Sequence, residues 1–164
     1  MGLGLDTRSA ARWLLGALAA AGAAAGAGAA PAAADATYHT ERLPWVALGG
    51  APLRGGAVVN AHADGPQVYA HEQYTLAGAQ PATPYQVVLL VDLDSADCST
   101  APDLTIPTAV LTTNAAGNGA ADAVFRPAAV GRLADRTVGG RWQLTLVGGT
   151  AVLYQTACTA ITLD

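Results

Sequence analysis

From Tyr85 to Leu93 every odd-numbered residue is large and apolar, while the even ones, Gln86, Val88, Leu90 and Asp92, are mixed. A period of two held this long belongs to a strand with one face fully buried, which places the segment in the middle of a sheet. The flanking sequence repeats the pattern in shorter pieces. Ala57–His62 and Gln67–Leu76, separated by Asp64-Gly65-Pro66, read as two strands joined by a turn. Thr108–Thr113 and Ala121–Phe125 flank Asn114–Gly119, whose glycines and asparagines accept positive φ, and read as a second hairpin. Arg141–Val147 alternates with Trp142, Leu144 and Leu146 inward. Gly148-Gly149 then turns the chain into a last strand within Ala151–Leu163 that carries Cys158.

Between these runs, Asp92–Pro107 has a loop composition, and Pro127–Asp135 reads as a connection with a short helical turn. Six or seven short strands with frequent turns, and no helical period, predict an all-β, two-sheet sandwich. Its core is expected to hold small side chains, several aliphatics, Phe125 and Trp142.

The start of the chain has a different character. Arg8 and Arg12 precede the apolar Trp13–Leu18 stretch and an Ala/Gly run, and Ala32-Ala33-Ala34 offers a cleavage site before Asp35. That is the form of a cleavable signal peptide over residues 1–34, followed by an irregular lead over 35–55 and a sandwich domain over 56–164. An Ala/Gly tract ending at Pro31 spans a bilayer poorly, and Ala160–Asp164 forms no apolar tail. The processed protein is therefore expected to be secreted or extracytoplasmic, with no stable membrane span.

The whole chain carries a formal charge of −4, and loss of Asp6, Arg8 and Arg12 with the leader takes it to −5. This balance argues against a nucleic-acid partner. Cys98 and Cys158 are the chain's two cysteines, and in an oxidising compartment an even pair in a small domain is expected as a disulfide.

Two segments resemble bacterial immunoglobulin-like domains of exported proteins. Leu76-Ala77-Gly78-Ala79-Gln80-Pro81-Ala82-Thr83-Pro84-Tyr85-Gln86-Val87 is similar to their "G-x-x-P-x-T-x-Y-x-V" stretch. Thr112–Ala121, followed by Phe125 and Pro127, is similar to their "T-x-D/N-A-x-G-x-x" hairpin and Pro-led connection. The resemblance covers Leu76 to Asp164 and leaves Tyr38–Tyr74 outside it. It implies an immunoglobulin-like sandwich of about seven strands, and the spacer, adhesive or carbohydrate-facing roles of that group. The partner would be an extracytoplasmic protein or glycan.

Residues suited to chemistry are few. Ser95 and Ser99 lie in no Gly-x-Ser-x-Gly elbow, so no hydrolase triad is assembled. If the Asp64–Gln67 turn is a two-residue loop, Asn60 faces His71 and His62 faces Tyr69. Both imidazoles then sit diagonally on one sheet face, where a Zn²⁺ or Cu²⁺ with a third ligand would fit. The plainer reading makes His62 and His71 ordinary polar residues on the solvent face of a hairpin, with Gln67, Glu72 and Gln73 nearby. Asp92, Asp94, Asp97 and Asp103 cluster around Cys98 and supply hard oxygen ligands of the kind Ca²⁺ needs. Their spacing departs from the EF-hand loop, which favours a solvated acidic loop. No cofactor is implied. The leading expectation is a non-enzymatic binding or structural module. The alternatives are a small metal-binding or hydrolytic protein using His62 and His71, and an inhibitor presenting the Asp92–Pro107 loop.

Overall fold

The structure is a computed structural model that describes residues 38–63, 70–126 and 136–163. The expected signal peptide, the expected Asp64-Gly65-Pro66 turn and the expected Pro127–Asp135 connection lie outside the described residues. Within them the chain is all-β, with strands β1 (Tyr38–Pro44), β2 (Val46–Ala47), β3 (Gly55–Ala63), β4 (Ala70–Ala77), β5 (Pro84–Asp92), β6 (Leu104–Thr112), β7 (Gly119–Phe125), β8 (Arg136–Leu146), β9 (Val152–Gln155) and β10 (Thr159–Leu163).

These strands form two antiparallel sheets. One has the order β1-β3-β4-β7; the other runs β2-β9-β8-β5-β6, with β10 also paired to β8. As its periodicity requires, β5 lies between β8 and β6 and buries Tyr85, Val87, Leu89 and Val91. They pack with Val138, Trp142 and Leu144 of β8, Leu111 of β6 and Tyr154 of β9, against Val58, Tyr74 and Leu76 of the four-stranded sheet. Burying each of these side chains contributes roughly 1.5–3 kcal/mol. Tyr85 and Tyr154 meet edge to face with ring centroids 5.6 Å apart. The core is thus richer in aromatics than the sequence suggested, because Tyr74, Tyr85 and Tyr154 all point inward. Phe125 is only half-buried, and Leu146, at the end of its strand, is exposed.

Where an irregular lead is expected over 35–55, β1 and β2 form. Both are outer strands, and Trp45 between them passes from one sheet to the other. Its side chain is buried and its indole Nε1 donates to Thr75 O at 3.0 Å. The expected hairpin of Thr108–Thr113 with Ala121–Phe125 is not made. β6 pairs with β5 and β7 with β4, so the 113–118 turn crosses between sheets. Turn residues specify a reversal of direction, and the same reversal serves either arrangement. β6 also begins at Leu104 and includes Pro107, shortening the expected Asp92–Pro107 loop to 93–103. Proline is tolerated there because β6 is an outer strand with a register shift opposite Val87/Val88.

The expected last strand is broken in two. β9 and β10 both pair with β8, and the break at 156–158 places Cys158 in the connection rather than on a strand. Thr156 fills the gap in the ladder: its N donates to Trp142 O at 3.0 Å and its Oγ1 accepts from Trp142 N at 3.1 Å.

The two segments that carry the family resemblance lie against each other. Ala82 N donates to Asn114 O, Thr113 N to Thr83 O and Ala79 N to Gly117 O, at 3.0–3.1 Å. Thr113 Oγ1 donates to Gln80 O at 2.6 Å, and Gly78 N to Asn118 Oδ1 at 3.1 Å. Gly117 has φ +76°, and a Cβ there would lie 2.1 Å from Ala79 O. Close approach of the two loops therefore requires glycine.

Candidate functional site

The outer face of the four-stranded sheet is built in rows set by the strand register. One row runs Arg42–Val59–Gln73–Asp122 and the next Thr40–Ala61–His71–Val124. Beside the small side chain of Ala120 lies a shallow depression of about 500 Å³, lined also by His71, Gln73, Tyr74, Thr75, Ala121 and Asp122. His71 Nε2 stands 3.9 Å from Asp122 Oδ2, with the two side chains 42% and 69% exposed. At this exposure the pair is worth little to stability, and both groups are free to meet a ligand.

The histidines are not arranged as the short-turn register required. Ala61, not Asn60, faces His71, and Asn60 faces Glu72. A one-residue change in register exchanges the two sheet faces, so His62 and His71 stand at positions of opposite parity and form no diagonal pair. His62 instead has His39 of β1 as its ladder partner. Among the described residues, no three His, Cys, Asp or Glu groups are placed to hold a metal ion.

The same register carries Glu72 into the core rather than to solvent. It is 2% exposed, and its Oε2 accepts hydrogen bonds from Tyr74 OH and from Trp142 Nε1, the latter at 2.7 Å. Tyr74 OH also lies 2.8 Å from Thr108 Oγ1 of β6. This polar group therefore joins the two sheets through the middle of the sandwich. Desolvation pushes the Glu72 carboxyl up to about 7, more than its bonds from Tyr74 and Trp142 lower it. Burial and the neighbouring Glu72 charge raise the Tyr74 phenol in turn. The sequence carried a signal for this: stepping back by twos from the apolar Leu76 and Tyr74 reaches Glu72.

Asp92, Asp97 and Asp103 direct their carboxylates into the acidic loop itself, while Asp94 is exposed. Asp92 accepts from Asp94 N at 3.1 Å, from Thr100 N at 3.2 Å and from the Thr100 hydroxyl. Asp97 accepts from Ser99 N at 3.1 Å and from the Ser95 hydroxyl, and Asp103 from Leu93 N at 2.7 Å. The Thr100 hydroxyl chiefly holds Asp92 below its ordinary value, and the Ser95 hydroxyl does the same for Asp97. These bonds fix the loop. They also occupy oxygens that a Ca²⁺ site would need.

The Cys98–Cys158 disulfide clips this loop to the β9–β10 connection, with Cα atoms 6.0 Å apart. Cys98 has φ +52°, a costly conformation for a residue with a side chain. The loop lies close on β8 at Gly139, where a Cβ would meet Ser95 O at 2.3 Å.

A scan of the chain against protein-family models finds no match, and searches of curated proteins and of solved structures find none either.

Proposed function

We propose that this chain is an exported, non-enzymatic immunoglobulin-like module that binds an extracytoplasmic partner through the outer face of its four-stranded sheet. The observation that carries the reading is the strand order. β9-β8-β5-β6 corresponds to the G-F-C-C′ sheet of immunoglobulin-type sandwiches, and β3, β4 and β7 opposite it take the places of A, B and E. From β3 onward the chain passes between sheets at β4–β5, β6–β7 and β7–β8, in keeping with that topology. Several features depart from the antibody pattern: β1 and the two-residue β2 are added outer strands, the last strand is split into β9 and β10, and the disulfide ties a loop at one end instead of bridging the core. The disulfide fits an oxidising compartment, and among the described residues no helix is long and apolar enough to cross a membrane. On the binding face, the polar pair His71–Asp122 and Gln73 stand open beside small neighbours.

The test is to screen the exported protein against extracytoplasmic proteins and glycans by surface plasmon resonance, alongside a hydrolase substrate panel. Saturable binding that weakens on substituting Gln73 and Asp122, without turnover, supports the reading; turnover of any substrate overturns it.

A second reading, an inhibitor presenting the 93–103 loop, is favoured by the disulfide and the hydrogen bonds that fix that loop. Loss of binding on reduction, with the sheet face intact, would select it.

A further inference from the structure

The outer strands of the sandwich are not equally guarded against pairing with another chain. β6 carries Pro107 and a register shift, β2 has two residues, and β10, which among the described residues pairs with β8 alone, has five against the seven of β7. β1 ends at Pro44 and is tied to the other sheet by Thr159 Oγ1 donating to Glu41 Oε2 at 2.6 Å. β7 has no proline, its one charge is Asp122, and its register with β4 is unbroken from Gly119 to Phe125. Among the described residues it pairs with β4 alone, so backbone donors and acceptors on its other side are open to an added strand.

The side chains of β7 set the chemistry of what would add there. Asp122, at the centre of the strand, points to the outer face, is 69% exposed and borders the His71–Gln73–Thr75 depression. The residues on either side of it, Ala121 and Ala123, turn toward the core and are half-buried, as is Phe125. A strand laid along β7 would present alternate side chains to these two environments. Opposite Asp122 a cation gains a charge-assisted hydrogen bond. On either side of that cation, apolar residues cover Ala121, Ala123 and Phe125.

We propose that β7 is a strand-addition site for an extended peptide segment in which a Lys or Arg is flanked on both sides by apolar residues, the basic side chain pairing with Asp122. This rests on the binding-module reading and names the partner chemistry of the same face. Main-chain hydrogen bonds to β7 would supply affinity, and the alternation of basic and apolar side chains would supply specificity.

The test uses the full exported chain, isotope-labelled, titrated with the capped peptide Thr-Val-Lys-Val-Thr and with its counterpart carrying Glu in place of Lys. The Lys peptide is expected to shift and protect amides of β7 and of His71–Thr75. Asp122→Asn should weaken it about fivefold, the scale of one exposed ion pair, and Asp122→Lys should abolish it. Both variants change an exposed side chain, and their amide spectra check that the fold is kept. Equal binding of the two peptides, unchanged affinity in Asp122→Lys, or the absence of any shift overturns the proposal. Shifts confined to another surface overturn the β7 site while leaving the chain a binding module. Cleavage of the peptide would overturn the non-enzymatic reading itself.

Discussion

Trp142 on β8 donates its indole hydrogen to Glu72 on β4 at 2.7 Å, across the centre of the sandwich. One of the few acids on the four-stranded sheet is thereby placed where no water reaches, held by a donor from the opposite sheet and by Tyr74 beside it. The energetic consequence depends on whether the carboxyl carries a proton.

Stability should fall as pH rises through the acid range toward neutrality. Glu72 titrates at about 7 when folded, against 4.5 for the ordinary side chain. Between these values the folded state holds a proton that the unfolded state has lost. The slope is then about 1.4 kcal/mol per pH unit, and the loss is roughly 3 kcal/mol once pH passes 7. Asp92 and Asp97 act in the opposite sense: each is held below 3.8, so their contribution is lost on further acidification. Urea unfolding across pH should give a maximum on the acid side, near pH 4. In Glu72→Gln the decline toward pH 7 should vanish; a decline of unchanged size would show that another group causes it.

Trp142→Phe removes the indole donor while keeping an aromatic side chain. The buried acceptor Glu72 loses one partner, at a cost of about 1.5–3 kcal/mol, and the smaller phenyl adds a cavity cost because Trp142 is fully buried. Because that bond favours the charged carboxylate, its removal should raise the Glu72 midpoint further and extend the decline to higher pH at the same slope. Carboxyl titration by NMR reads this directly, and a lowered midpoint would contradict the assignment.

Breaking the disulfide should cost stability without dissolving the sheets. Cys98 and Cys158 are separated by 60 residues, for which chain entropy gives about 4 kcal/mol as an upper figure. The double Cys→Ala variant should unfold at lower denaturant, with its first loss of amide protection in the 93–103 loop. Ligand binding at the β7 face should survive reduction. Its disappearance, with that face still protected, would move the functional surface to the loop.

The strands were legible where alternation was strong and unbroken, as in β5, and so was the disulfide, since only one pairing was possible. Glu72 was not, because a carboxylate in a polar run reads as solvent-facing until the parity of Tyr74 and Leu76 is carried back to it. The placement of β6 and β7 in different sheets was hidden for another reason. The Asn114–Gly119 turn specifies reversal, whereas sheet membership is decided by β5 and β4, distant in sequence. Half of the candidate face was visible as His71, but its partner Asp122 arrives from a strand some fifty residues later through the β4–β7 ladder.

Gly117→Ala tests whether the two loops that carry the family resemblance act as one unit. The substitution adds a Cβ that would lie 2.1 Å from Ala79 O, at a backbone φ of +76° that side chains resist. Neither side chain nor solvent can give way, because the opposing atom is backbone held by Ala79 N donating to Gly117 O at 3.0 Å. The expected cost is about 2–3 kcal/mol, combining left-handed strain with overpacking. Loss of protection should spread to Gly78–Thr83 in the other loop, since Thr113 and Asn114 hold it in place. Hydrogen exchange distinguishes the cases: weakening confined to 113–118 would mean that the loops are stable independently, whereas joint weakening ties the turn chemistry of both motifs to a single clamp.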